Sequence, residues 1–146
     1  MSSRATVKNL IGLCLYLTTL STAYGAISLT WGTPTSGTAY ITGATISYSG
    51  NVSWAAGDPQ CTNVQVSLSW WDGFNDESAA VTDSGFATMG DITGTERDFS
   101  GSLTATRYLT QVSYYYLTGI PLKKGIPYSV DGVPYEIYQP LGTIVD

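Results

Sequence analysis

The sequence predicts an all-β protein: a single antiparallel β-sandwich with immunoglobulin-like architecture, preceded by an N-terminal signal peptide. Short segments of alternating apolar and polar residues recur along the chain, and Gly, Pro, Asn, Asp and Ser separate them. No segment shows a sustained helical period of apolar residues. Parallel strands need long crossovers, usually helical, so the pattern favours antiparallel sheets in a sandwich.

The first 25 residues have the order of a secretory signal peptide. Met1–Lys8 is polar and basic, Asn9–Thr22 is mostly apolar and uncharged, and Ala23 and Gly25 are the small residues that precede a cleavage site. The apolar part is shorter than the about 20 residues that cross a bilayer. We therefore expect cleavage after Gly25, no stable membrane span afterwards, and a β-sandwich domain over 26–146. The alternative is an uncleaved N-terminal anchor.

Strand candidates follow at short intervals. In Val64–Trp71 alternate residues are apolar, so we expect Val64, Val66, Leu68 and Trp70 to face the core and the intervening Gln65, Ser67 and Ser69 to face water. Tyr108–Thr118 is apolar on both sides, which is typical of a central strand or of one that meets another chain. The other candidates are Ile27–Trp31, Thr38–Ile41, Ala44–Tyr48, Val52–Trp54, Ala79–Val81, Arg97–Thr104, Tyr128–Val130, Tyr135–Tyr138 and Thr143–Val145.

Turn residues separate these strands. Asp131-Gly132 predicts a two-residue hairpin turn of type I′, because both central positions of that turn need positive φ. Ser49-Gly50 predicts a turn that carries the glycosylation sequon Asn51-Val52-Ser53. Proline lacks an N–H group, so we expect Pro121, Pro127 and Pro134 at strand starts or edges.

Charge and cysteine content limit the partners and the compartment. Two of the six basic residues, Arg4 and Lys8, lie in the signal segment, so the eleven acidic residues dominate the mature chain and disfavour nucleic acid as a partner. Only 12% of the residues are charged, and 11 are Tyr, which fits a secreted protein at the cell surface or outside the cell. Cys14 leaves with the signal peptide, so Cys61 has no intrachain disulfide partner, and we expect it to be buried.

The catalytic side-chain sets of common enzymes are missing from the sequence. The chain contains no His, and it has no glycine-rich phosphate loop. This excludes Ser/His/Asp and Cys/His catalysis and histidine metal sites. Pairs of acidic residues such as Asp76 and Glu77 leave a secreted hydrolase as the alternative, but they lie in loop-like sequence, where acids are usually solvated. The sequence therefore predicts a protein that is not an enzyme and has no organic cofactor.

An acidic stretch offers the one metal-ligand pattern. Asp72, Asn75, Asp76 and Glu77 place oxygen side chains around Gly73, and calcium binds six to eight such oxygens. The spacing differs from that of an EF-hand loop, so the alternative is a turn in which Asn75 and Asp76 bond to the backbone.

Aromatic residues offer a ligand site. Trp71 and Tyr115 lie on strand sides that are polar or mixed, and an exposed Trp beside a Tyr could stack on a sugar ring. These two residues are our predicted ligand-binding pair.

The sequence as a whole predicts a secreted, non-enzymatic structural or adhesive subunit. Such a subunit would self-associate by β-strand pairing into a fibre, pilus or surface layer, with Ile27, Leu29 and Trp31 of the first mature strand completing a neighbour's sheet. The competing interpretation of this strand is an ordinary first strand of its own sheet. The alternative function is an extracellular carbohydrate- or ligand-binding module that uses the exposed aromatics and the acidic loop.

Overall fold

The computed structural model describes residues 27–71, 80–108 and 114–146. Every regular element in these ranges is a β-strand, so the all-β prediction is confirmed. Within the same ranges, no helix has the length and apolar character needed to cross a membrane. The strands are β1 (Ile27–Thr33), β2 (Tyr40–Ile41), β3 (Thr45–Trp54), β4 (Asn63–Trp71), β5 (Ala80–Phe86), β6 (Thr88–Met89), β7 (Glu96–Thr104), β8 (Tyr114–Lys123), β9 (Ile126–Pro127), β10 (Ser129–Val130), β11 (Val133–Pro134), β12 (Ile137–Pro140) and β13 (Ile144–Val145).

Two antiparallel sheets form the sandwich. The four-stranded sheet has the order β1-β3-β7-β6, and the five-stranded sheet has the order β12-β8-β4-β5 with β9 paired to β8. These orders correspond to the A-B-E-D and G-F-C-C′ strands of an immunoglobulin-type sandwich. The predicted antiparallel, immunoglobulin-like architecture is therefore confirmed. Two short pairs lie outside these sheets: β10 with β11, and β13 with β2, the second of which is parallel.

The core lies between the two sheets. Inward-facing apolar side chains of both sheets fill it, and those that expose 1% or less include Leu29, Val52, Phe99, Val66, Leu68 and Leu117. Two hydrogen bonds connect the sheets at their opposite edges. The indole Nε1 of Trp31 in β1 donates to the carbonyl oxygen of Ile137 in β12 at 3.3 Å. The carboxylate of Asp83 in β5 accepts from the N–H of Thr104 in β7 at 2.8 Å.

The β4 prediction is correct for one face and wrong for the other. Val64, Val66, Leu68 and Trp70 are buried, as expected, but Ser67 and Ser69 expose only 8% and 5% and do not face open water. They lie outward between neighbouring strands, where Ser69 pairs with Tyr116 and Ser67 pairs with Thr118. Ser69 lies between the larger residues Tyr116 and Val81, and Ser67 lies between Thr118 and Ser84 in the middle of the sheet.

Strand β8 is central, as the apolar character of both its sides predicted. In the described residues it runs from Tyr114 to Lys123, and it lies between β4 and β12. Pro121 was expected at a strand start or edge but lies inside β8. The carbonyl of Pro121 accepts from the N–H of Tyr128. The N–H and C=O groups of one residue point to the same side of an antiparallel strand. The position where Pro121 lacks an N–H group is therefore on the side of Tyr128, and no hydrogen bond between β8 and β4 is lost.

Strand β3 corrects a second expectation. Ser49-Gly50 is not a turn: β3 runs unbroken from Thr45 to Trp54, so Asn51 of the sequon lies in the middle of a paired strand. The reason is that Gly50 lies against Phe99 on the inner side, where the lack of a side chain is needed for packing rather than for a turn. The hairpin at Asp131-Gly132 is confirmed, with φ of 52° and 79° between β10 and β11.

Candidate functional site

The outer side of the five-stranded sheet carries a row of aromatic side chains. Leu68 and Leu117 are paired and both belong to the core, so residues one position away on either strand point outward. Trp71 pairs with Tyr114, and the neighbouring strand β12 adds Tyr138 beside Thr118. We call the outward set Trp71, Tyr114, Tyr116 and Tyr138 the aromatic face.

The four rings form one continuous cluster. Ring centroids are 5.3 Å apart for Trp71 and Tyr114, 6.4 Å for Tyr114 and Tyr116, and 5.4 Å for Tyr116 and Tyr138. The planes of Trp71 and Tyr114 are inclined by 55°, and those of Tyr116 and Tyr138 by 86°. Edge-on and tilted contacts of this kind are typical of packed aromatic clusters. Tyr116 and Tyr138 are buried and Trp71 and Tyr114 are half-buried, so a second apolar cluster lies on the outside of this sheet.

Exposed apolar residues extend this surface across β5. Val81 pairs with Ser69 and Phe86 pairs with Gln65, so both point outward on the same side. They expose 51% and 65% of their surface. A half-buried aromatic row and two exposed apolar side chains thus share one face of the molecule.

The electrostatics of the aromatic face are those of neutral phenols. Burial, and secondarily the neighbouring Tyr116, raises the pKa of Tyr114 to about 12. The hydroxyl of Tyr138 donates to Oε2 of Glu136 at 2.9 Å. No outward position of β4, β5, β8 or β12 that the structure describes carries a charged side chain.

The outer side of the four-stranded sheet has the opposite character, and we call it the hydroxyl face. Its outward positions on β1, β3, β6 and β7 are all Ser, Thr, Asn, Asp or Glu: Ser28, Thr30, Thr33, Thr45, Ser47, Ser49, Asn51, Ser53, Thr88, Glu96, Asp98, Ser100, Ser102 and Thr104. Most of these side chains are exposed. One outer side of the sandwich is therefore uniformly polar, whereas the other combines the aromatic cluster with polar positions such as Ser67 and Thr118.

The predicted ligand pair Trp71 and Tyr115 is not brought together on the surface. Tyr115 exposes 5% and belongs to the core, where its hydroxyl accepts from the N–H of Tyr108 at 3.0 Å. Adjacent residues of a strand point to opposite sides, so Tyr115 faces inward when Tyr114 and Tyr116 face outward. Tyr114 is the residue that accompanies Trp71.

The predicted assembly residues lie in the chain's own sheet. Strand β1 pairs with β3 along its length, Ile27 and Leu29 are buried in the core, and Trp31 is half-buried against Tyr48 and Phe99. This arrangement is that of an ordinary first strand, and exchange of β1 between copies stays a prediction.

The predicted calcium ligands Asp72, Asn75, Asp76 and Glu77 lie outside the described residues. In the described ranges, no three or more Asp, Glu, Cys or His side chains gather as a metal site would require. Cys61 is a free cysteine, as expected, and it is fully buried. Its thiol donates to the carbonyl oxygen of Asn63 at 3.1 Å, and burial raises its pKa.

Sequence reasoning missed Tyr114, Tyr116 and Tyr138 as members of one site. The alternation of Tyr114 and Tyr116 along β8 was a usable signal, because it places both on one side. Nothing in the sequence signals Tyr138, which reaches the cluster only because β12 pairs with β8 from the far side. Val81 and Phe86 join through the pairing of β5 with β4.

No protein-family model matches the chain, and no curated protein matches it. One solved structure with a similar course of the backbone is a CARDB domain from Pyrococcus furiosus, crystallised in complex with di-metal ions. The superposition covers 83% of this chain and 93% of that domain, with 8% sequence identity and a TM-score of 0.43.

Proposed function

We propose that this chain is a non-enzymatic, extracellular structural or adhesive subunit that associates with a second copy of itself through the aromatic face. The contrast between the two outer sides of the sandwich carries the proposal. A monomeric β-sandwich in water does not need a second apolar cluster on the outer side of one sheet, because its core already lies between the two sheets. Exposed apolar surface of this kind marks contact with another macromolecule.

The distribution of charge allows a second copy to bind at the aromatic face. The protein is acidic, with a net charge of −5, so two copies repel each other at long range unless they meet where few charges lie. The described outward positions around Trp71, Val81 and Phe86 are uncharged, whereas Glu96 and Asp98 lie on the hydroxyl face of the other sheet. Two copies that meet by their aromatic faces keep these carboxylates apart, and the carboxylate of Glu136, which touches this face, accepts a hydrogen bond from the hydroxyl of Tyr138. Such a contact is also self-complementary, as a symmetric dimer requires.

Pairing between sheet edges has less support. At one edge Asp83 of β5 points toward β7, an inward charge of the kind that protects an edge. At other edges β6 has only two residues, and β12 ends in Pro140. These features discourage a neighbour's strand from joining at the β5, β6 and β12 edges, which favours association by a face.

The glycan alternative also has less support at this face. A sugar ring stacks on the open face of an aromatic side chain, and the half-buried rings of Trp71 and Tyr114 pack against each other at an inclination of 55°, which leaves less open ring face. Secretion and the absence of catalysis stay part of the proposal through the signal-like first 25 residues and the lack of any His.

The test measures molecular mass by light scattering over a range of protein concentrations. The wild-type protein should form dimers or larger species as concentration rises. Phe86→Glu places a charge on the same outer side of the sheet as the aromatic face, at a side chain that is 65% exposed, so it should keep the protein monomeric without unfolding it. Ile41→Glu is the matched control, because Ile41 is 64% exposed but lies on β2, outside the sandwich sheets.

Two results would contradict the proposal. One is a wild-type protein that stays monomeric at every concentration. The other is association that Phe86→Glu leaves unchanged. Association that instead disappears when residues 26–31 are removed would point to exchange of β1. A monomer that binds glycans and loses that binding on Trp71→Ala would point to the ligand-binding alternative.

A further inference from the structure

The hydroxyl face contains a concave depression that the proposed self-association does not use. Its volume is about 510 Å³, within the range of small-molecule sites. It crosses four neighbouring strands, and its polar lining consists of Thr30, Ser49, Asn51, Thr88, Asp98 and Ser100.

The backbone explains why the sheet is hollow at this place. Gly32 and Gly90 border the depression and contribute no side chains to fill it, and a Cβ atom on either would point toward the outward residues Ser49 and Asp98. Strand β1 also has a register shift between Trp31 and Thr33, opposite β3. Bulges of this kind bend a strand and often lie beside binding sites.

The polar groups around the depression are already oriented. Nδ2 of Asn51 donates to Oδ1 of Asp98 at 3.0 Å and approaches Oε1 of Glu96 at 3.4 Å. This holds the amide plane and leaves Oδ1 of Asn51 and the second oxygen of Asp98 as acceptors. The hydroxyls of Thr33 and Ser49 share a hydrogen bond of 2.8 Å at the rim. The depression thus offers fixed acceptors together with hydroxyls that can either donate or accept.

This chemistry selects the kind of ligand. None of the lining residues that the structure describes is Lys or Arg, and Asp98 is a carboxylate, so the site repels anions. Trp31 and Phe99 turn their rings to the core side and offer no stacking plane at the surface. A ligand with several hydroxyl donors and no negative charge fits this lining. We propose that this depression binds a neutral sugar unit of a glycan, with Asn51 and Asp98 accepting from its hydroxyls.

The two sites lie on opposite outer sides of the sandwich. Self-association through the aromatic face would leave the depression open on each copy, and an assembly would present several sugar sites at once. Multiple weak sites of this kind bind a surface far more strongly than one. The sugar site does not depend on self-association, and the monomeric variant can be used to test it alone.

The experiment is a titration of the full protein followed by amide chemical shifts, with methyl glucoside, methyl galactoside, methyl mannoside and N-acetylglucosamine as probes at millimolar concentration. At least one probe should give saturable shifts centred on Thr30, Asn51 and Asp98. Asp98→Ala should weaken that binding by about tenfold or more, since a bond to a charged acceptor is lost. Ser100→Trp should abolish binding by filling the depression. The control Ser102→Ala, on the same face but outside the depression, should bind as the wild type does.

The Phe86→Glu variant should bind the same probe unchanged, and so should the wild type in the presence of EDTA. The proposal is overturned if no probe gives saturable shifts. It is equally overturned if the shifts centre on Trp71 and Tyr114, if EDTA abolishes them, or if Asp98→Ala and Ser100→Trp bind normally.

Discussion

The ring of Phe99 lies directly against Gly50 on the inner side of the four-stranded sheet. A Cβ atom on Gly50 would be 2.5 Å from Cζ of Phe99, well inside any real contact distance. Trp31 meets the same ring edge-on, with centroids 5.5 Å apart, so Phe99 has no room to move aside. The glycine thus belongs to the core packing of β3 and β7, and the depression on the opposite side lies over the same place.

Gly50→Ala should therefore destabilise the protein strongly. Inserting a methyl group where the neighbours cannot yield costs about 1–3 kcal/mol, and here the backbone oxygen of Thr30 is also in the way. Urea unfolding measures the change. Gly85→Ala is the control, since a Cβ there meets no heavy atom within 4 Å, and it should change the unfolding free energy by less than about 1 kcal/mol. Equal losses for both variants would show that Phe99 is not held as described.

Asp83 should matter for joining the two sheets. Its Oδ2 accepts from the N–H of Thr104 and its Oδ1 from the N–H of Ser84. Asp83→Ala removes both acceptors and should lower the unfolding free energy by about 1 kcal/mol. Hydrogen exchange should show faster exchange of the Thr104 amide. The exposed Asp91 supplies the control, and exchange at Thr104 that is equally fast in Asp91→Ala would argue against a specific link.

Alkaline pH should destabilise the fold through its tyrosines. Burial raises the pKa of Tyr114 from 10.0 to about 12, and burial also raises the pKa of Tyr128. Below pH 10 the folded and unfolded states both hold these protons, so the full stability is present. Between pH 10 and about 12 the unfolded chain loses the Tyr114 proton first, which pulls the equilibrium toward unfolding. The unfolding free energy should fall across this window.

Urea titrations at successive pH values check this fall in stability. Tyr114→Phe removes one of the ionising groups, so its loss of stability with rising pH should be smaller than that of the wild type. If the wild type and Tyr114→Phe lost stability equally with rising pH, the pKa of Tyr114 would be the same in the folded and unfolded states.

Cys61 should react slowly in the folded protein. Its side chain is fully buried and burial raises its pKa, so little thiolate is present and reagents cannot reach it. Alkylation by iodoacetamide, followed at the Cys61 peptide by mass spectrometry, should be at least about 100-fold slower in the native state than in urea. Comparable rates would place the thiol at the surface.

Calcium binding by the acidic stretch would stabilise the folded protein. If Asp72, Asn75, Asp76 and Glu77 bind calcium in the folded state, calcium at 100 times its Kd should stabilise the protein by about 2.7 kcal/mol. Thermal melts with calcium and with EDTA measure this. The variant Asp72→Asn/Asp76→Asn should lose the shift. A melting point that saturating calcium leaves unmoved would favour the turn.

The strand segments themselves were predictable from local pattern. Val64, Val66, Leu68 and Trp70 repeat every second residue, and this alone placed them inward. The Asp131-Gly132 turn was equally predictable, because its positive φ values are a local requirement that few residues meet. The predicted turn at Gly50 was wrong because the sequence does not distinguish a glycine that leaves space for an aromatic ring from a glycine that allows a turn.

The sequence by itself determined that the chain forms an antiparallel sandwich, because alternation, turn residues and the lack of helical period are all properties of neighbouring residues. Only the tertiary structure decided which outer side is apolar. Trp71, Tyr114, Tyr116 and Tyr138 come from three strands, and strand order across a sheet sets their contact. The same pairing turned Tyr115 inward and buried Ser67 and Ser69. Burial depends on what stands on the adjacent strand, and that neighbour is distant in the chain.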